Sequence, residues 1–124
     1  MLPKRLHRNS QRQEENRRSR AHRQWVRGHA CSVPGCQDRP IECAHVRSGS
    51  DGGIGLKPSD IWTISLCREH HAEQHRLGEA EFQLRHGIDL RALAEEFARR
   101  SPHRNRWSEV GAAGRPKVHL SSLP

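Results

Sequence analysis

Residues 42–75 read ECAHVRSGSDGGIGLKPSDIWTISLCREHHAEQH, and the fold of the 124-residue chain turns on that stretch. Ile41 to Val46 has the length of a short strand, with Ile41, Cys43 and His45 alternating against Glu42, Ala44 and Val46. Ile61 to Leu66 is predicted as a second strand, Ile61, Thr63 and Ser65 alternating against Trp62, Ile64 and Leu66. Between them Arg47 to Asp60 carries Gly49, Gly52, Gly53 and Gly55 ahead of Lys57-Pro58. No Walker-type pattern is present, so these glycines read as tight turns and points of close backbone approach to a ligand. A helix is predicted from just after Cys67 to about Leu77, closed by Gly78. On it His71 and His75 stand four apart and share a face, so both imidazoles can hold one ion. His70 lies about 100° round from His71, which leaves it for a different ion.

That different ion has its other ligands upstream. Cys31-Ser-Val-Pro-Gly-Cys36 places a Pro-Gly turn between two cysteines, folding the chain so that both thiolates can point at one cation. Cys67 and His70 supply a second half with two-residue spacing, so Cys31, Cys36, Cys67 and His70 read as a tetrahedral structural zinc site. Free buried thiols are the plain alternative. Cys43 fits neither set; it reads as a buried thiol, with replacement of His70 in the zinc site as the other option.

Composition asks for such a staple. Hydrophobic content is 32%, with no Tyr, two Phe and three Trp, and so small a core needs a metal, disulfides or a partner. The opening MLPKRLHRNSQRQEENRRSR lacks the apolar segment of a signal peptide, and no run approaches membrane-spanning length. The expectation is a reducing, cytoplasmic setting, where cysteines beside histidines act as metal ligands. The net charge of +8 is unevenly placed: residues 1–29 hold nine Lys/Arg against two Glu, residues 101–124 four against one, and residues 30–100 nine against eleven acids. Basic arms around a near-neutral body suit a polyanion; a solubilising tail is the plain reading.

Residues 1–24 are therefore expected to be a basic, disordered arm, 25–101 the folded domain and 102–124 a flexible tail. Beyond the first helix, Glu79–Arg85 is predicted helical and stopped by Gly87. Asp89 caps a third helix whose Leu90, Leu93, Ala94 and Phe97 form a packing stripe, ended by Ser101-Pro102. Glu42, Asp51 and Glu73 read as solvated acids, and His22, His29, His86, His103 and His119 as surface residues without partners.

The run from Ala44-His45 through Gly52-Gly53, Lys57, Asp60 and Leu66-Cys67 to His70-His71 and His75 resembles the HNH, or ββα-metal, endonuclease superfamily. Within it the likeness is to small phage and prophage-type members, including the recombination-enhancement (Ref) nucleases. The resemblance spans roughly Cys31 to Phe82 and implies an α+β fold: a small, treble-clef-type ββα-metal domain stapled by zinc, with extra C-terminal helices and flexible basic tails. It implies His45 as the general base, His71 and His75 as ligands of a catalytic ion, and the Cys31, Cys36, Cys67 and His70 set as structural Zn²⁺. It further implies DNA as substrate, a recombination protein as a possible partner, no membrane, and a bacterial or phage-encoded cytoplasmic protein.

Two departures stand out. The position before the base, where most members carry a metal ligand, is Ala44, and the middle Asn is replaced by Asp60. Asp60 could orient His45 or coordinate the ion; a carboxylate suits Mg²⁺ or Mn²⁺ better than two imidazoles alone, which favours the metal role, with Zn²⁺ also admissible there. Phosphodiester hydrolysis needs an activated water and positive charge on the developing phosphorane, and an imidazole is suited to take the proton at neutral pH. Arg5, Arg8, Arg12, Arg17, Arg18, Arg20, Arg23, Arg47 and Lys57 are the expected nucleic-acid contacts. A zinc-stabilised nucleic-acid-binding module without catalysis is the alternative, and a zinc-dependent protein-interaction adaptor a third reading.

Overall fold

The computed structural model describes residues 15–48 and 58–105. They form an α+β unit of four helices and a two-stranded antiparallel sheet: α1 (Arg20–Arg27), β1 (Ile41–His45), β2 (Thr63–Cys67), α2 (Arg68–Leu77), α3 (Glu79–His86) and α4 (Leu90–Arg100). The expected arm residues Arg5, Arg8 and Arg12, the glycine-rich loop with Asp51 and Lys57, and His119 lie outside the described residues.

The register pairs Ile41 with Cys67 and His45 with Thr63, so Cys67 and His45 sit at opposite ends of the ladder. Four residues of strand separate them, roughly 13 Å at about 3.3 Å per residue. β2 is buried along its whole length, because α1 and α2 pack on the sheet and α4 packs on β2. Ile64 and Leu66 enter the apolar core with Trp62, Phe82, Leu90 and Ala94. The hydroxyls of the alternate residues must then find acceptors. Thr63 Oγ1 donates to the Asp60 carbonyl at 2.8 Å and Ser65 Oγ to the Ala30 carbonyl at 2.7 Å. Ala44 is fully buried opposite Ile64. Position 44 thus lies on a buried face of the strand.

The second strand begins two residues later than expected. Ile61 and Trp62 belong to a turn, closed by the Trp62 N–H donating to the Ser59 carbonyl at 3.0 Å. The helix boundaries follow the glycines and the cap: α2 ends at Gly78 (φ 85°), α3 at Gly87 (φ 64°, left-handed), and the Asp89 carboxylate accepts the Ala92 N–H at the start of α4.

The expectation of a disordered arm over residues 1–24 is corrected for residues 19–24; residues 1–14 lie outside the described residues. Ser19 caps α1 by accepting the His22 N–H at 3.2 Å, and His22 and Val26 are fully buried. His22 Nδ1 meets Ser101 Oγ at 2.8 Å, tying α1 to the end of α4. Trp25 and His29 pack edge-on against Phe97, with ring centroids 5.9 and 5.2 Å away. Neither His22 nor His29 is the surface residue that the sequence suggested.

Candidate functional site

Cys31 and Cys36 flank a turn in which Gly35 takes φ 80° and the Cys36 N–H donates to the Val33 carbonyl. Cys67 closes β2 and caps α2, and His70 lies in the first turn of that helix. The four ligand atoms lie within 4.8 Å of one another. His70 Nδ1 is 3.4 Å from Cys31 Sγ and 3.2 Å from Cys67 Sγ; Cys36 Sγ is 3.9 Å from Cys67 Sγ. Tetrahedral zinc, with Zn–S near 2.3 Å and Zn–N near 2.0 Å, separates its ligands by roughly 3.3–3.8 Å. The cluster can hold a metal ion, and its donors suit zinc.

Among the described residues one other group of three potential ligands occurs, His70, Glu73 and His86. His86 Nε2 is hydrogen-bonded to Glu73 Oε1, and the His86 ring packs edge-on against His70 and on Phe82, centroids 5.0 and 4.6 Å away. The hydrogen bond from His86 holds the Glu73 carboxyl below its ordinary value. With His70 Nδ1 turned to the sulfurs, Glu73 and His86 form a backing to the cysteine cluster. Their expected roles as solvated acid and partnerless surface histidine are corrected.

At the other end of the ladder opens a cleft of about 940 Å³. Arg23 and Arg27 line it from α1, Cys43 and His45 from β1, Arg47 just beyond, and His71, Gln74 and His75 from α2, with Gly78 and Glu79 at its edge. Cys43 therefore stands apart from the cysteine cluster; burial pushes its thiol up to about 11, so it stays protonated at neutral pH.

His45 Nε2 is 2.9 Å from Asp60 Oδ1. Asp60 is fully buried. Its Oδ2 accepts the Ser19 N–H at 2.7 Å and lies 3.3 Å from Arg23 Nε, while Oδ1 is also 3.3 Å from Arg18 Nη1. Burial alone would raise the Asp60 carboxyl, but the hydrogen bonds from His45 and Ser19 and the Arg23 charge hold it below its ordinary value. An ionised acceptor on Nε2 fixes the proton there and leaves the Nδ1 lone pair of His45 available as a base. Both Asp60 oxygens are thereby engaged. The expectation that Asp60 joins a metal set is corrected; its other expected role, orienting His45, is the one its contacts serve.

His71 Nδ1 meets Glu42 Oε1 at 2.8 Å, and its Nε2 faces His75 Nε2 at 3.2 Å. The hydrogen bond from His71 keeps Glu42 below its ordinary value, so Glu42 is no idle solvated acid. A carboxylate on one imidazole nitrogen and a lone pair on the other is the usual setting of a metal-ligating histidine. The structure brings His71 and His75 together without a third ligand among the described residues.

The basic residues divide. Arg18 turns inward, donating to the Pro58 carbonyl at 2.7 Å as well as approaching Asp60, and Arg20 is exposed on α1. Arg17 is half-buried rather than displayed on a free arm. Arg23 and Arg47 line the cleft with Arg27, which the sequence reading missed; its spacing of four from Arg23 was the available signal. Glu79 accepts the backbone N–H groups of Arg47 and Ser48 at 2.7 and 2.8 Å, mooring the chain as it leaves β1. No described helix is long and apolar enough to cross a membrane.

Comparison with known proteins adds a family. A family model described as "Protein of unknown function (DUF968)" matches residues 5–102. The "Uncharacterized protein YdfU" of Escherichia coli (strain K12) is 31% identical over 70 residues, which are 56% of this chain and 19% of that protein. The chain thus spans about a fifth of that relative's length. No solved structure matches the chain.

Proposed function

This chain belongs to the DUF968 family, and from the side chains that it gathers we propose that it is a metal-dependent DNA endonuclease of HNH, ββα-metal type with a structural zinc. One observation carries the reading: an Asp60-held His45 shares a single cleft with the His71–His75 pair and three arginines. The order of strand, strand and helix, with the base on the first strand and the paired imidazoles on the helix, agrees with it. In this reading His45 Nδ1 takes the proton of a water, and Asp60 stabilises the imidazolium that results. Arg23, Arg27 and Arg47 hold the phosphodiester backbone. His71 and His75 would hold a divalent ion, Mg²⁺ or Mn²⁺, which supplies positive charge to the developing phosphorane and the leaving oxygen. Cys31, Cys36, Cys67 and His70 would hold the zinc that closes the fold.

The test is nicking of supercoiled plasmid by purified zinc-loaded protein with added Mg²⁺ or Mn²⁺. His45→Ala should keep the fold, the zinc and the DNA affinity while the rate falls at least ~10²-fold. His71→Ala should be partly restored by excess Mn²⁺, because it loses a ligand rather than the base. Intact plasmid after incubation of wild-type protein with either ion sinks the nuclease reading. A second reading, a zinc-stabilised nucleic-acid-binding module without catalysis, is favoured by the commitment of Asp60 to His45, which leaves His71 and His75 without a third ligand among the described residues. Tight DNA binding with no nicking at any metal concentration would select it.

A further inference from the structure

Gln74 lies between His71 and His75 on α2 and lines the same cleft, yet only 4% of it is exposed. Its Nε2 is 3.2 Å from the main-chain carbonyl of His45. That contact settles the orientation of the amide, because only the NH₂ end can face a carbonyl oxygen. Oε1 then points elsewhere, enclosed and without a hydrogen-bond partner among the described residues. A buried acceptor left unmet is unfavourable, and beside a polar cleft its natural partner is a water.

We propose that Gln74 is the positioning residue of the His45 site. Its Nε2 fixes the end of β1 that carries the imidazole, and its Oε1 accepts a hydrogen bond from the water that His45 deprotonates. The proposal rests on the nuclease reading and adds to it an orientation for the nucleophile. A water has two hydrogens, and a base engages only one. An acceptor for the other removes a rotation and aims the lone pair at phosphorus. The proton passes to His45 Nδ1, the new oxygen–phosphorus bond forms, the bond from phosphorus to the leaving 3′ oxygen breaks, and that oxygen takes a proton from solvent.

Gln74→Met keeps the length of the side chain and removes both polar ends. It should lower kcat by about tenfold to hundredfold while KM for plasmid and zinc content stay within about twofold of wild type. Gln74→Glu keeps an acceptor at the Oε1 position and loses the donor to the His45 carbonyl, so at neutral pH its kcat should lie between that of Gln74→Met and that of wild type. A residue that merely fills space would make the two variants alike. A kcat for Gln74→Met within about twofold of wild type overturns the proposal, as does a Gln74→Glu kcat equal to that of Gln74→Met. A second measurement needs no cleavage: the nitrogen resonances of the His45 ring and main chain, in zinc-loaded protein without DNA. They should shift in Gln74→Met, and unchanged signals overturn the positioning role. Absence of cleavage by wild type would sink the nuclease reading, and with it the role of Oε1 toward a nucleophilic water; shifted His45 signals would then still support the hold of Nε2 on His45.

Discussion

Replacing Asp60 with alanine should damage this fold about as much as truncating one of its buried aromatic side chains, Trp62 or Phe82. The carboxylate is fully buried, 2.9 Å from His45 Nε2, 2.7 Å from the Ser19 N–H and 3.3 Å from each of two guanidinium groups. Asp60→Ala removes the buried negative charge beside Arg18 and Arg23 and takes away the acceptor of the Ser19 amide. Removing one side of a buried ion pair costs about 3–5 kcal/mol. The Arg18 and Arg23 side chains keep 21% and 32% of their exposure, so water can re-solvate them in part. The low end therefore applies, about 3 kcal/mol, to which the orphaned amide adds about 1 kcal/mol. A loss of about 4 kcal/mol is a large share of the roughly 5–15 kcal/mol that holds a typical domain. At about 4–8 °C per kcal/mol for a unit of this size, the Tm should fall by about 16 °C or more. Asp60→Asn keeps the shape and an oxygen for Ser19, and should lose about half as much. The assay is a thermal and urea melt of zinc-loaded protein followed by far-ultraviolet circular dichroism. An Asp60→Ala variant melting within about 5 °C of wild type would refute the reasoning. The sign with pH is equally definite. A carboxyl depressed below its ordinary 3.8 contributes stability above that value and loses it only as pH falls through the lower, folded-state value. The carboxyl's own share of the gap between wild type and Asp60→Asn should therefore be lost only in strong acid.

Three further outcomes follow from the geometry. A strong chelator, or Cys67→Ser, should unfold the described core, since structural zinc can supply on the order of 10 kcal/mol of folding free energy; a metal-free protein with an unchanged melt contradicts the site. Burial pushes His22 down to about 4, against some opposition from Asp60, so neutral His22 stabilises the fold above its ordinary 6.5. That contribution, up to about 3 kcal/mol, should drain away between pH 6.5 and 4, and the slope of unfolding free energy over this window should flatten in His22→Gln. Deleting residues 1–14 should preserve the fold and flatten the salt dependence of DNA binding, by about 0.9 in the slope of log K against log salt for each phosphate the arm neutralises; deleting 1–23 should cripple folding. Equal melts for the two truncations would show that Ser19, His22 and Arg23 do not matter to the core.

Much of the fold is legible in the sequence because its signals are local. Gly78 and Gly87 mark helix ends by their backbone freedom and Asp89 by its capping carboxylate, and two close-spaced ligand pairs announce a cluster able to share an ion whatever lies between them. Helix α1 is illegible for the opposite reason. Its segment looks like a solvated basic arm, and what draws Arg18 and Arg23 inward, the buried charge of Asp60, lies some forty residues away. Nothing within a helical turn of His22 reveals that it will meet Ser101. The same holds for Glu42 with His71 and Glu73 with His86, acids whose meaning depends on a histidine brought up by the fold. Ala44 stands out in the sequence as a departure, but its cause, a strand position turned toward Ile64 and the core, needs the register.

The mooring by Glu79 has a consequence for how this protein can be altered. The chain leaving β1 is held by the Glu79 carboxylate on the amides of Arg47 and Ser48, and the chain returning is held by Arg18 on the Pro58 carbonyl. One post stands at the first residue of α3 and the other just ahead of α1, so each end of the connection between the strands is tied to a helical element rather than to the sheet. A substitution at either post is therefore felt at the rim of the cleft, beside Arg47 and Pro58, while the cysteine cluster at the far end of the ladder lies out of its reach.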